Sequence, residues 1–487
     1  MYSFIICLCA LVLGYLLYGK FVEKVFGPDP ARPTPAVAKE DGVDFIPMPA
    51  WKVYMIQFLN IAGTGPIFGA IMGAKFGPSA YLWIVLGCIF AGAVHDYLAG
   101  MMSVRGGGAN LPEVVGHALG KSLKNVMLVF IILLLVLVGA VFVYSPALIL
   151  GDIAGVAGSG STLSIMFWVV LILLYYIIAT LLPIDKIIGK IYPVFAVALL
   201  FMAVGLMVCL FVKWPTLPEL WQGLGNRGPG VGMTGQSIFP CLFITIACGA
   251  ISGFHATQSP MMARCLKSEK LGRPIFYGAM ITEGVVALIW ATVASYFFFD
   301  GGAAEVGAEI SAEAPTIVTK VSQAWLGTIG GILAILGVVA APITTGDTAF
   351  RSARLTIADA FKYDQKSIGN RLKVSIPIFC VAGLLLWFNI SDEDGFNTIW
   401  RYFGWANQTI SVFTLWAISV WLFRSRGKKY YLVSEIPAMI MTVICVTYIC
   451  TQKIGLGLPM VWGTGIGVAA ALALDGIFHA RIVHRKQ

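Results

Sequence analysis

Long apolar stretches recur along the whole chain, and each is long enough to cross a lipid bilayer as a helix. About 20 mainly apolar residues span the hydrocarbon core. Only 12% of the 487 residues are charged, about half the share typical of a soluble domain. The sequence therefore predicts an all-α polytopic membrane protein, and it argues against a soluble enzyme or a nucleic-acid-binding protein. The thirteen predicted spans lie at about 2–19, 53–74, 79–102, 125–150, 163–183, 190–212, 236–260, 274–299, 325–347, 373–390, 397–423, 433–450 and 457–480.

The lysines and arginines are divided unequally between the two sets of loops that thirteen spans would define. Of the 33 basic residues, 27 fall on the side reached after the first span and 6 on the other. Loops on the cytoplasmic side of a membrane carry an excess of Lys and Arg. The count supports thirteen spans, with the N-terminus outside and the C-terminus in the cytoplasm. The net charge of +9 then reflects topology and requires no nucleic acid or other anionic partner.

The ten cysteines do not have the spacing of zinc ligands or of a disulfide framework. Most of them lie in apolar runs, where a free cysteine behaves as a small packing residue. We therefore expect no metal site and no cofactor.

Two of the spans contain Gly, Pro and polar residues at the depth of the membrane centre, at 60–67 and at 247–257. Such residues interrupt a helix, and exposed backbone at this depth is tolerated only against protein or a water-filled cavity. A Gly-rich packing face is the alternative for the second span. We expect broken helices that form a substrate site. Its expected residues are Gly63, Thr64, Gly65 and Pro66 in the second span, and Ser252, Gly253, Phe254 and His255 in the seventh.

The two interrupted spans are five spans apart, so they cross the membrane in opposite directions. Interrupted helices in matching positions of inverted repeats are typical of secondary transporters. We predict one transporter domain that resembles the LeuT-type architecture of the amino acid/polyamine/organocation (APC) superfamily. Its two five-helix repeats would cover 51–213 and 236–423, with an extra helix at 1–22 and two C-terminal helices at 432–481. Half-helix N-termini would then favour an anionic group, and unwound carbonyls would favour a cation.

Ionisable side chains inside the spans are few, and each is a candidate for ion coupling. Glu283 would lie near mid-membrane, where apolar surroundings favour the protonated carboxyl group. The alternative is a neutral acid that is hydrogen-bonded between helices. His95 and Asp96 are adjacent, and they would either relay a proton or form structural hydrogen bonds.

The ninth span offers hard oxygen ligands for a coupling cation, which would be a proton or a sodium ion. These are the hydroxyls of Thr344 and Thr345 and the carboxylate of Asp347. Asp347 has an alternative role as the partner of Arg351, four residues later on the same helix face. In the eleventh span, the Asn407 and Gln408 amides would contact either substrate or neighbouring helices.

The segment at 23–50 is rich in proline. We expect an ordered strap that packs beneath the transmembrane core on the cytoplasmic side. The alternative is a flexible tether.

Six short motifs, in order along most of the chain, resemble those of the carbon-starvation (CstA) family of peptide and pyruvate transporters. They are DGVDFIP at 41–47, IAGTGPI at 61–67, GAVHDY at 92–97, SGFHATQSP at 252–260, RPIFYGAMITEG at 273–284 and GWANQ at 404–408. The length is closest to the short branch of that family. The resemblance implies a bacterial inner-membrane importer of short peptides or pyruvate, coupled to an ion gradient.

Two other classes of function remain as alternatives. A passive channel or facilitator for small organic anions would use the same broken helices without coupling. An intramembrane enzyme is disfavoured because the sequence contains no GxSxG, HExxH or P-loop motif. The sequence does not indicate an oligomeric state.

Overall fold

The structure, a computed structural model, describes residues 1–42, 44–153, 161–181, 184–365, 367–391, 395–427 and 429–483. In these ranges the chain is mainly helical and contains no β-strand. Eleven helices in these ranges are long and apolar enough to cross a membrane. They are Tyr2–Phe26, Ser79–Arg105, Lys121–Gly151, Thr162–Thr180, Tyr192–Lys213, Glu269–Phe299, Gly330–Phe361, Ile368–Ser391, Thr398–Arg426, Leu432–Thr451 and Met460–Val483. Shorter helices at Pro35–Ala38, Leu111–Leu119 and Gly302–Glu305 connect them.

Two of the predicted spans are broken. Ala50–Ile61 and Gly65–Ala74 together pass for one span, bent by 46°, and raise the number of spans to 12. The predicted span at 236–260 consists of Ile238–Leu242, Phe243–Thr245 and Gly253–Ala263, and none of these is long enough to cross alone. Length and composition thus give 11 or 12 spans in the described residues, and the prediction of thirteen is not reached because this helix is divided into short pieces.

The helices form an inner group and an outer group. In the most apolar part of Ser79–Arg105, Glu269–Phe299 and Thr398–Arg426, 83% of the residues are buried. The corresponding share is 28% in Tyr2–Phe26 and 22% in Met460–Val483. Large apolar side chains such as Val461 lie exposed on these outer helices, as expected of a surface that faces lipid tails. The inner helices surround both broken helices and hold the candidate site.

The proline-rich segment forms an ordered strap across one end of the helix bundle. The Thr34 hydroxyl donates to the Leu266 carbonyl over 2.5 Å. The Met48 amide donates to the Cys265 carbonyl over 3.1 Å, and the Ile46 amide to the carbonyl of Arg264 over 3.2 Å. Since these bonds fix three points of the segment, the strap is part of the folded core. We call this end of the bundle the strap end.

Candidate functional site

The first broken helix consists of Ala50–Ile61 and Gly65–Ala74, with Ala62–Thr64 between them. Ala62 leaves the helical region (φ −84°, ψ 50°). Pro66 lies in the first turn of the second half, where its missing N–H costs no hydrogen bond. The Thr345 hydroxyl lies 3.3 Å from the Leu59 carbonyl. Thr345 therefore contacts the last turn before the break.

The second broken helix stops at Thr245 and resumes at Gly253, so its break is longer. Gly249 has a φ of +91°, which side chains disfavour. The Ile246 carbonyl accepts a hydrogen bond from Trp83 Nε1 at 2.9 Å. Asn407 Oδ1 accepts from the Phe254 amide at 2.7 Å and from Ser252 Oγ at 3.0 Å. A side chain from a different helix thus caps the half-helix Gly253–Ala263, in place of a residue of its own chain segment.

The two breaks lie against one another. A Cβ atom on Gly65 would lie 2.5 Å from Sγ of Cys248, and one on Gly69 would lie 2.8 Å from the Thr245 carbonyl oxygen. No real Cβ approaches so closely, so the contact requires glycine at both positions. Met48, just before the first broken helix, is hydrogen-bonded to Cys265, just after the second, so both chain segments meet at the strap end. The two broken helices therefore run in opposite directions, as the sequence predicts.

Four buried ionisable side chains form a row beside the second break, which we call the acid–histidine row: His95, Asp96, His255 and Glu283. One carboxylate oxygen of Asp96 lies 2.8 Å from Nδ1 of His95, and the other lies 2.8 Å from Nδ1 of His255. Nε2 of His255 lies 3.4 Å from Oε2 of Glu283. The row brings together residues from three helices that are up to 188 positions apart in the sequence.

The hydrogen-bond donors of the row follow from the chemistry of its groups. An ionised carboxylate only accepts hydrogen bonds, so both histidines carry their N–H on Nδ1 when they face Asp96. Nε2 of His255 is then free to accept a proton from Glu283 or to donate one to it. A proton transferred over this contact would change the charge of Glu283, and the contact with Asp96 would hold the imidazole ring in place.

Unpaired polar atoms lie along the first broken helix, which contacts the helix that carries Glu283. The Tyr54 hydroxyl lies 2.6 Å from Thr282 Oγ1, beside Glu283. Gln57 is three residues after Tyr54, and Asn60 three residues after that, so they follow one helix face. The buried side-chain amides of Gln57 and Asn60 and the hydroxyl of Thr64 have no hydrogen-bond partner in the described part of the chain. Gln57 is not among the site residues predicted from the sequence, although an amide one turn before a break is a usable signal.

The ninth-span candidates separate in the structure. Thr345 faces the first break, whereas Asp347 Oδ2 lies 2.9 Å from the Tyr192 hydroxyl. The Thr344 hydroxyl donates to the Ala341 carbonyl of its own helix at 2.8 Å. Arg351 Nη2 lies 4.0 Å from Asp347 Oδ1, which is the alternative pairing. Thr345 and Asp347 are two positions apart, which is about 200° around the helix, so their side chains point to opposite faces and the three groups do not converge. A role of Asp347 and Thr344 in ion coupling stays a prediction.

The eleventh-span amides also separate. Asn407 reaches the second break, whereas Gln408 Nε2 donates to the Phe243 carbonyl at 3.3 Å. Gln408 therefore contacts the half of the second broken helix that lies away from the strap.

Access to the site differs between the two ends of the bundle. A cavity of about 400 Å³ opens at the end opposite the strap and reaches Thr245, the last helical residue before the second break. Arg401 and Lys453 also line this cavity. At the strap end, Arg264 Nε donates to the Gly108 carbonyl at 3.0 Å, and Arg105 lies 3.1 Å from Glu269. The cavity that reaches Thr245 thus opens at the end opposite the strap, whereas these contacts cover the strap end.

One group at the site has the donor atoms of a metal ligand set, which the cysteine spacing had not suggested. Cys248, His255 and Glu283 are all buried, and one donor atom of each lies within 4.8 Å of the others. Thiolate, imidazole and carboxylate together suit a divalent transition-metal ion.

A family model described as carbon starvation protein CstA matches residues 1–156, 147–326 and 301–448. An uncharacterized membrane protein of Haemophilus influenzae is 47% identical over 61% of this chain and 91% of its own length. The peptide transporter CstA of Campylobacter jejuni is 26% identical over 93% of this chain and 80% of its own length. The peptide transporter CstA of Escherichia coli is likewise 26% identical, over 90% and 79%. The similarity therefore extends over nearly the whole chain.

Solved structures of a manganese transporter from Eremococcus coleocola resemble this chain in fold. One has a TM-score of 0.58 with 12% identity and covers 89% of this chain and 94% of the transporter. Another, solved in complex with an aromatic bis-isothiourea substituted compound, has a TM-score of 0.57 with 11% identity. At this identity the likeness concerns the fold alone.

Proposed function

Because the chain belongs to the carbon starvation protein CstA family, we propose that it is a secondary active transporter that imports short peptides, or pyruvate, by alternating access. The curated relatives named peptide transporter CstA support the substrate class. The observation that carries the ion-coupled mechanism is the contact between His255 in the second broken helix and Glu283. Coupling to protons requires a group that takes up and releases a proton near the substrate site, and this pair would provide one.

The transport domain is proposed to comprise two inverted five-helix repeats, at 51–213 and 236–423, as in LeuT-type transporters. Support comes from the two broken helices, which lie at matching positions, run in opposite directions and contact each other. The helix at 1–22 and the two helices within 432–481 would lie outside the repeats. The bundle then sits in the bacterial inner membrane with the strap end in the cytoplasm, which the excess of basic loop residues on that side favours.

The substrate is proposed to bind beside the two breaks, at the edge of their contact. Gly63, Thr64, Gly65 and Pro66 would supply backbone and hydroxyl contacts from the first broken helix, together with the unpaired amides of Gln57 and Asn60. The N-terminus of the half-helix Gly65–Ala74 favours a carboxylate, which pyruvate and every peptide carry. Ser252, Gly253 and Phe254 would form the opposite wall. Asn407 acts as a positioning residue because it holds this wall rather than facing the substrate.

The coupling ion is proposed to be a proton that Glu283 and His255 carry. In the state open to the outside, a proton on Glu283 removes a buried negative charge before the site closes around the substrate. In the state open to the cytoplasm, transfer to His255 and then to water returns the site to its starting charge. Asp96 and His95 hold the His255 ring during this exchange.

The test is uptake of labelled pyruvate and of labelled dipeptides into proteoliposomes under imposed proton or sodium gradients. Accumulation above the external concentration under a proton gradient, lost on adding a protonophore, is the expected result. Accumulation driven by a sodium gradient alone would identify sodium, and not the proton, as the coupling ion. Flux that only equalises the two sides would identify a passive facilitator instead.

A second candidate function, transport of a divalent metal ion, is favoured by one observation. The Cys248, His255 and Glu283 donor atoms converge at the centre of the site. Uptake of Mn²⁺ by the same proteoliposomes, lost in Cys248→Ser, would support this candidate. Peptide or pyruvate uptake that is indifferent to Cys248→Ser, with no Mn²⁺ uptake, would exclude it.

A further inference from the structure

A second group of metal-ligating side chains lies away from the transport site, where the last two helices meet. It consists of Glu435 on Leu432–Thr451 and of Asp475 and His479 on Met460–Val483. His479 Nδ1 lies 3.3 Å from Asp475 Oδ1 and 3.5 Å from Glu435 Oε1. We call these three side chains the C-terminal group. The transport mechanism makes no use of them.

The C-terminal group has more acceptors than donors. His479 Nδ1 also lies 3.1 Å from the Asp475 carbonyl oxygen, so one ring nitrogen faces three oxygens. A ring nitrogen carries at most one hydrogen and donates to one of them. Glu435 is 4% exposed, and its Oε1 accepts no hydrogen bond from any described residue. A buried carboxylate oxygen without a donor is costly unless the group takes up a proton or a cation lies beside it.

The two distances from His479 to the carboxylates suit a small divalent ion. Imidazole nitrogen and carboxylate oxygen bind Zn²⁺ at about 2.1 Å, and two ligands of a tetrahedral site are then about 3.4 Å apart. The distances of 3.3 Å and 3.5 Å from His479 Nδ1 match that edge. Two carboxylates and a neutral imidazole also balance the charge of a divalent ion.

We propose that Glu435, Asp475 and His479 bind one divalent transition-metal ion, with Zn²⁺ as the preferred occupant. His479 binds through Nδ1 as the neutral ring, so its hydrogen lies on Nε2, which faces the Tyr431 hydroxyl at 3.5 Å. This contact orients the ring, as second-shell partners do at metal sites. The ion ties the outermost helix, of which only 22% is buried in its most apolar part, to its neighbour.

The proposal is independent of the transport mechanism, because it concerns different residues and requires no substrate. Its test is equilibrium dialysis of purified, chelator-treated protein in detergent against ⁶⁵Zn²⁺, together with the thermal midpoint of unfolding with and without Zn²⁺. The wild-type protein is expected to bind Zn²⁺ and to unfold at a higher temperature in its presence. Glu435→Gln and His479→Ala should each weaken this binding at least about tenfold.

Two control variants separate the C-terminal group from other binding. His117→Ala removes a histidine outside the group, and Glu283→Gln disables the donor set at the transport site. Both should keep the Zn²⁺-dependent rise of the thermal midpoint. Glu435→Gln keeps the shape of its side chain, so it remains informative if His479→Ala does not fold. Equal Zn²⁺ binding by wild type and Glu435→Gln, or no binding by wild type, would overturn the proposal.

Discussion

The two broken helices differ in how their polar groups are satisfied. The second break is held by other helices: Trp83 binds the Ile246 carbonyl, Asn407 caps Phe254, and Asp96 orients His255. The first break has Gln57, Asn60 and Thr64 beside it, whose buried polar atoms find no partner among the described residues. Buried polar groups are normally paired, and an exception calls for an explanation such as a bound water, an ion or a functional role. The second break therefore suits proton exchange in a fixed geometry, and the first suits contact with a variable solute.

The largest effect is expected for Glu283→Gln. The amide cannot exchange a proton with His255, so concentrative uptake should fall until the labelled substrate is equal inside and outside. Exchange of labelled for unlabelled substrate should persist, because the breaks remain intact. The two assays on the same proteoliposomes check this prediction. Wild-type accumulation by Glu283→Gln would remove Glu283 from ion coupling.

Asn407→Ala should destabilise the second break. It leaves the Phe254 amide and the Ser252 hydroxyl without their acceptor, which costs about 1–3 kcal/mol for a buried group. Asn407→Asp is the matched control because it keeps an oxygen at Oδ1. We expect a lower midpoint of unfolding and slower uptake in the alanine variant, with both largely restored in the aspartate variant. If both variants lose uptake equally, the amide nitrogen rather than the cap is what matters.

Gly65→Ala tests the contact between the breaks. The new methyl group would overlap Cys248, and overpacking of this kind typically costs about 1–3 kcal/mol. Uptake should fall and the protein should unfold at a lower temperature. Gly225→Ala adds the same methyl group where nothing lies within 4 Å, so it should behave as wild type. A neutral Gly65→Ala variant would show that the breaks separate more readily than the structure implies.

The smallest effect is expected for Thr64→Val, which removes a hydroxyl without changing the shape of the side chain. Because this hydroxyl makes no protein hydrogen bond, the thermal midpoint should stay at the wild-type value. One lost hydrogen bond to the solute should raise KM about three- to tenfold. Thr345→Val is the comparison, since that hydroxyl does contact the Leu59 carbonyl. A change of thermal midpoint with unchanged KM would assign Thr64 a structural role.

The sequence predicts the positions of both breaks because Gly and Pro act locally on the backbone. The sequence does not predict the contact of Asn407 with Ser252, because the two residues are 155 positions apart. The Asp96–His255 contact is hidden for the same reason. The divergence of Thr344, Thr345 and Asp347 depends on helix phase, which a motif does not specify. Span length fails as a test for the second broken helix, whose pieces are each too short to cross.

Glu283 and His255 are proposed to carry a proton with each imported substrate molecule. A pH-sensitive dye enclosed in proteoliposomes at zero membrane potential measures this proton after pyruvate or a dipeptide is added outside. We expect the wild-type protein to acidify the lumen only when substrate is present, and Glu283→Gln not to acidify it. Substrate entry without acidification by the wild-type protein, or equal acidification by Glu283→Gln, would rule out proton transfer through this pair.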